Sequence, residues 1–139
     1  MTENRSRELK IFRQFIEDEV QPLLGSFNLK RQWIDEDACA LYGPDFCFKI
    51  YCPQDTGYNF TACIAPEYKP VKNADNERGL PWLVMYLGVH CWKHETYETP
   101  EAFKNGLSSF SKILPYYIDY LTNVHRDLFW EEFYWFVDV

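Results

Sequence analysis

The stretch that decides the fold is RQWIDEDACALYGPDFCFKIYCPQDTGYNFTACIA, residues Arg31 to Ala65. Its side chains alternate with a period of two. Phe46, Phe48, Ile50 and Cys52 interleave with Cys47, Lys49 and Tyr51, and Tyr58, Phe60, Ala62 and Ile64 interleave with Asn59, Thr61 and Cys63. Alternation puts successive residues on opposite faces of a strand, and polar turn clusters between such runs mark hairpins. Those clusters are Asp35-Glu36-Asp37, Gly43-Pro44-Asp45 and Pro53-Gln54-Asp55-Thr56-Gly57. The reading is an antiparallel meander of about four strands, with one face on the core and the other partly solvated.

Upstream of the meander the period is helical. Leu9, Phe12, Ile16, Val20 and Leu23 fall on one stripe and Arg7, Lys10, Arg13, Glu17 and Asp18 on the other face, which predicts a helix from about Arg7 to Leu24. Gly25 suits the left-handed position that ends it, and Pro22 would loosen its last turn. Downstream, Pro66 to Gly79 reads as a long surface loop. Leu80 to Trp92 favours a short helix over a buried strand, with Pro81 in the first turn and Gly88 as the stop. Thr99 caps a helix that starts at Pro100 and carries Phe103, Leu107, Phe110, Leu114, Ile118 and Leu121; Pro115 should kink it. The aromatic tail, Leu128 to Phe136, docks as a last helix or an edge strand. The chain is thus read as a single α+β domain over residues 1–139, with the C-terminal helices packed on one face of the sheet.

Composition narrows the function. The 139 residues carry a net charge of −7, and eleven Phe, ten Tyr and five Trp make up 19% of the chain. A sequence so rich in aromatics is not disordered. An acidic chain lacks the basic surface that phosphate contacts need, so no nucleic acid is expected as partner. No apolar run approaches the roughly 20 residues of a membrane span, so no membrane association is expected either. The N-terminus shows no apolar signal core, and the five cysteines, at 39, 47, 52, 63 and 91, include no C-x-x-C pair. Reduced thiols packed in the core of a cytoplasmic protein are the reading.

Chemistry-bearing motifs are sparse. His90-Cys91-Trp92-Lys93-His94 puts two histidines at i and i+4 beside a thiol, with His125 as the remaining imidazole, but lacks the glutamate that follows the first histidine in a zincin. A metal-dependent enzyme built on His90, Cys91 and His94 is therefore a lesser alternative. There is no nucleophile elbow, phosphate loop or dinucleotide fingerprint, and no cofactor is implied. The acidic groups at 17–19, 35–37 and 131–132 read as solvated faces or turns.

The Phe residues fit the core stripes, whereas Trp33, Tyr42, Tyr51, Tyr58, Tyr68, Trp92, Tyr97 and Trp135 do not. Tyr and Trp combine apolar area with a polar handle and are enriched at interfaces. With the acidic charge they point to a basic protein partner, met by Asp35, Glu36 and Asp37 at a hairpin tip together with exposed Trp33, Tyr42 or Tyr58. Asp75 and Glu77 in the long loop are a second group. Dimerisation through the tail around Trp130 to Phe136 is an alternative use of the same chemistry.

The opening helix at Leu9–Leu24, the meander over Arg31–Ala65, the closing helices from Pro100 to Leu121 and the acidic, aromatic surface together resemble the small cytosolic immunity proteins encoded beside bacterial polymorphic or contact-dependent toxins. The likeness is architectural. It implies a non-enzymatic protein that binds one cognate toxin, often a basic nuclease, and covers its active site.

Overall fold

The computed structural model describes residues 2–54, 57–88, 96–124 and 126–139. Helix α1 (Glu3–Phe15) starts four residues earlier than the stripe suggested, because Thr2 caps it: its hydroxyl accepts the Arg5 N–H at 3.0 Å. A π-turn (Ile16–Val20) follows, and then α2 (Gln21–Phe27). Pro22 has no N–H for the Asp18 carbonyl. The ladder opens one residue before it, where the Gln21 N–H bonds back five residues to Ile16. The helix is not stopped at Gly25. It continues to Phe27, and Asn28 takes the left-handed cap at φ 54°, a conformation that asparagine tolerates.

Strands β1 (Lys30–Asp35), β2 (Ala38–Tyr42) and β3 (Cys47–Tyr51) follow as antiparallel neighbours. The two-residue strand β4 (Tyr58–Asn59) leaves the meander, and β5 (Thr61–Ala65) rejoins it beside β3. A fifth strand, β6 (Arg78–Gly79), pairs with β5 at the end of the stretch expected to be loop throughout, giving the order β1-β2-β3-β5-β6. Helix α3 (Leu80–Leu87) has Pro81 in its first turn and Gly88 as a left-handed cap at φ 69°, as its sequence predicts. Strand β7 (Thr96–Tyr97) pairs with β4, and α4 (Pro100–Asn123) begins at the Thr99 cap, whose hydroxyl accepts the Ala102 N–H at 3.1 Å. The helix runs on through Pro115. The tail forms α5 (Arg126–Asp138), the helical alternative of the two expected.

One core joins these elements. Phe12, Ile16 and Val20 meet the sheet face that carries Cys39, Leu41, Phe48, Ile50, Ala62 and Ile64; Phe103, Phe110, Leu114 and Ile118 of α4 and Phe133 of α5 close it. Phe60 lies at its aromatic centre, 5.3 Å from the Phe110 ring and 6.2 Å from those of Tyr97 and Phe103. The opposite sheet face is partly solvated at its flanks, where Gln32 is exposed and Thr61 and Cys63 are half-buried, but every residue of the middle strand β3 is buried.

Tyr97 holds the small β4–β7 ribbon to α4 by setting the hydroxyl end of its ring against Gly106, where a Cβ would fall 2.2 Å from the Tyr97 Cζ. In an open helix interior, Gly→Ala stabilises by roughly 0.5–1 kcal/mol. Here the sign should reverse, with Gly106→Ala costing about 1–3 kcal/mol through overpacking. Urea unfolding of the single variant, and of the same change in a Tyr97→Ala background where the penalty should vanish, measures it.

Candidate functional site

The second face of the sheet is built around a buried lysine. Lys49, 1% exposed, alternates with Phe48 and Ile50 and so points away from the helical core. Its ammonium has three protons and finds three acceptors on the 66–77 segment: the Lys69 and Val71 carbonyls, each at 2.9 Å, and the Glu77 carboxylate. Glu77 also accepts the Tyr51 hydroxyl at 2.6 Å and the Ala74 N–H at 3.0 Å. Burial, reinforced by the Glu77 bond, pushes the Tyr51 hydroxyl well above its ordinary range. Glu77 is therefore a structural acceptor beneath the loop and not the exposed contact residue expected. Asp75 is exposed and pairs with Lys69 at 2.8 Å, which holds its carboxyl below the usual carboxylate range.

A second network consumes the hairpin tip. Arg5 donates to Glu8 at 2.7 Å, to the Pro53 carbonyl at 3.0 Å and to Asp37 at 3.0 Å, while Lys72 donates to the other Asp37 oxygen at 2.8 Å. Asp37 is thus buried and doubly paired, against the expectation that it lies exposed at the tip. Asp35 and Glu36 are exposed and, with Trp33, Arg13, Ser6 and Leu9, line one groove of about 550 Å³. Trp33 is half-buried there: it meets Phe12 edge-on at 6.1 Å and lies under the Arg13 guanidinium at 4.0 Å, with Arg31 at 6.0 Å. The structure brings these three expected residues together but gives them cations of the chain's own. Tyr42 is on the other sheet face, stacked on Tyr68 at 4.2 Å. Tyr58 is buried against Phe103 at 5.7 Å and offers a partner nothing, because β4 turns it inward.

The surface without such compensation lies on α3 and α5, which pack antiparallel: Tyr86 meets Phe129, Phe133 and Phe136, while Trp82 meets Phe136 near the other end of α3. Leu80, Leu83 and Val84 face the core on α3, as Phe129, Trp130 and Phe133 do on α5. The helical period then turns Trp82 (41% exposed) and Met85 (62%) outward on α3 and Leu128, Glu131, Glu132 and Trp135 (68%) outward on α5. Between the helices, Tyr86, Glu131, Glu132, Trp135 and Phe136 line a groove of about 420 Å³. The Tyr86 hydroxyl donates to one Glu132 oxygen at 3.1 Å and so orients that carboxylate at the groove wall. No residue of α3 is charged. A groove of about 680 Å³ between α1 and α4 has Arg7, Lys10 and Lys104 set against Asp18, Glu19 and Glu101, and shows no such bias of sign.

Sequence reasoning singled out Trp135 as an aromatic outside the core stripes but left Trp82, Met85, Glu131 and Glu132 out of the partner site. The signal was present: if Leu80, Leu83 and Val84 form the inner stripe of α3, positions 82 and 85 lie outside it. His90, Cys91, Trp92, His94 and His125 lie outside the described residues. Among the described residues no three His, Cys, Asp or Glu side chains come together as metal ligands, and no helix is long and apolar enough to cross a membrane. Cys39, Cys47, Cys52 and Cys63 are free thiols at strand positions or just after one, and burial pushes Cys39, Cys47 and Cys63 up to about 12 and Cys52 higher still. No protein-family model, curated protein or solved structure matches the chain.

The Lys49 network and the thiols each generate a test. Lys49→Met strands the Glu77 carboxylate and should cost about 3–5 kcal/mol in urea unfolding, with limited proteolysis newly cutting the 66–77 segment. A Lys49→Met/Glu77→Leu double change, which buries no lone charge, should recover part of that loss. Each of the four thiols ionises more readily in the unfolded chain, from an ordinary value of 9.0. Above that pH the unfolded state binds fewer protons than the native one. The stability these groups provide is therefore complete below pH 9 and lost as pH rises towards 12. Thermal melts should hold level from pH 7 to 8.5 and fall steeply above it, and Cys47→Ala should make the fall shallower.

Proposed function

We propose that this chain is a non-enzymatic binding protein that docks a basic protein partner on its α3/α5 face. The observation that carries this reading is the outward stripe of Trp82, Met85, Leu128 and Trp135 beside the exposed carboxylates of Glu131 and Glu132. Large apolar side chains held in solvent by two packed helices are the kind of surface that partners cover. Trp is the residue type whose truncation most often costs binding energy, and carboxylates around such anchors steer a cationic partner and fix its register. Within this class the reading is an immunity-type inhibitor, acting in the cytoplasm on a cognate basic toxin whose active site it covers. Homodimerisation through the same face is the less favoured use. A two-fold interface sets each patch against its own copy and so gathers the glutamates of both chains in one contact.

The test mixes the protein with the product of the neighbouring gene and follows complex formation by gel filtration and stopped flow. A 1:1 complex is expected, with an on-rate that falls steeply as salt rises. Trp82→Ala/Trp135→Ala should weaken it at least tenfold, or about 1.4 kcal/mol. Glu131→Gln/Glu132→Gln should slow association and flatten the salt dependence. A complex that tolerates these changes but is lost on Trp33→Ala would move the interface to the β1–β2 tip. Absence of any complex would remove this partner, and a concentration-dependent dimer by light scattering would favour self-assembly.

A further inference from the structure

We propose that the groove between α3 and α5 is a socket for an arginine side chain of the partner; this rests on the binding reading above and assigns its central contact. The same helix already holds an arginine in this way. Arg78 forms a bidentate pair with Asp138, Nε to Oδ1 at 3.0 Å and Nη2 to Oδ2 at 2.9 Å, and its guanidinium lies 4.6 Å from the centre of the Tyr134 ring. Carboxylate and aromatic stand four residues apart there, one helical turn, so they share a face. Glu131 and Trp135 stand at the same four-residue spacing on the outward face of α5, with the carboxylate now preceding the aromatic, and Glu132 and Phe136 do the same at the groove wall. At Asp138 the carboxylate is engaged by Arg78. Glu131 and Glu132 face solvent with no cation among the described residues lining the groove.

The chemistry selects guanidinium over ammonium. Its planar fork matches a carboxylate bidentately while its face stacks on an aromatic ring, which a compact, strongly hydrated ammonium does not do. Trp is the best aromatic face for a cation. Tyr86 fixes Glu132 through one oxygen and leaves the carboxylate's remaining acceptor sites for the incoming fork. The guanidinium would come from an arginine within a polypeptide and not from the free amino acid, because none of the described residues lining the groove carries a cation to pair an α-carboxylate.

The experiment titrates the full-length 15N-labelled chain with Nα-acetyl-arginine methylamide and follows the Trp135 indole N–H and the Glu131 and Glu132 amides. Saturable shifts in the millimolar range are expected. The lysine analogue should bind at least threefold more weakly, and the neutral isostere citrulline should not saturate. Glu132→Gln should weaken the arginine probe at least threefold while leaving the rest of the amide spectrum unchanged. Equal response to citrulline or lysine, or no saturable shift at these positions, overturns the socket. Free L-arginine binding more than tenfold tighter than the blocked probe also overturns it, in favour of an amino-acid site. The two proposals fail separately. If the probe does not bind but Trp82→Ala/Trp135→Ala still disrupts the partner complex, the socket falls and the docking face stands. If the complex ignores the face variants, the docking reading falls whatever the probe does.

Discussion

The ammonium of Lys49 is the constraint on which the arrangement of this fold depends. A lysine on the middle strand of a sheet, 1% exposed, carries a desolvation cost of several kcal/mol unless each of its protons has an acceptor. Only the 66–77 segment supplies the three it uses, so that segment must lie across the sheet. The consequence runs along the chain. Glu77, the last of the three acceptors, is followed directly by β6, which pairs with β5 and delivers the chain into α3. Arg78, from the same short strand, reaches Asp138 and Tyr134 on α5. One buried cation thereby sets the loop, the edge strand and the helix pair that exposes Trp82 and Trp135.

The two ionic networks also decide which acidic residues remain for other uses. A carboxylate paired with the chain's own cations has already exchanged its hydration for protein contacts, and a partner would have to displace those contacts to reach it. That is the state of Asp37 and Glu77, and in part of Asp75 through Lys69. The charge of −7 is thus a poor guide to where a cation would bind. The balance within each groove is the better guide, and it differs: mixed between α1 and α4, shared with Arg13 at the β1–β2 tip, acidic between α3 and α5.

Periodicity made most of the architecture legible. The stripes of α1 and α4, the meander, the Thr99 cap and the Gly88 stop all rest on local chemistry: spacing, side-chain oxygens and left-handed conformations. What was not legible depended on distant partners. Alternation around Lys49 looks like a wet sheet face, and nothing local shows that a loop twenty residues on will cover it. Asp37 and Glu77 look like solvated turn and loop residues because Arg5, Lys72 and Lys49, which bury them, are 28 to 35 residues away. The π-turn was hidden for a different reason. Pro22 signals a disturbed ladder, but whether the helix stops at Gly25 or widens and continues to Asn28 depends on the core contacts of Ile16, Val20 and Leu24.

The candidate site was half legible for the same reason. Burial of one helical face can be read from a stripe, and the residues left over are known at once, but a stripe does not reveal which leftovers meet across two helices. The face forms only because Tyr86 packs into α5 among Phe129, Phe133 and Phe136, which brings Trp82 and Met85 of one helix beside the Glu131, Glu132 and Trp135 stripe of the other. Tyr86 acts at both levels, its ring in the helix contact and its hydroxyl on Glu132. A tail so aromatic would be expected to bury itself completely. It does not, because a helix has two sides and the core takes one. Natural surfaces can keep single apolar residues exposed without consequence, but two tryptophans and a methionine exposed on one packed helix pair, with two exposed glutamates on the same pair, present apolar area whose burial would be favourable. Trp82, Met85 and Trp135 thus stay exposed because the core takes only the inner side of each helix, and their burial is what the proposed docking would gain.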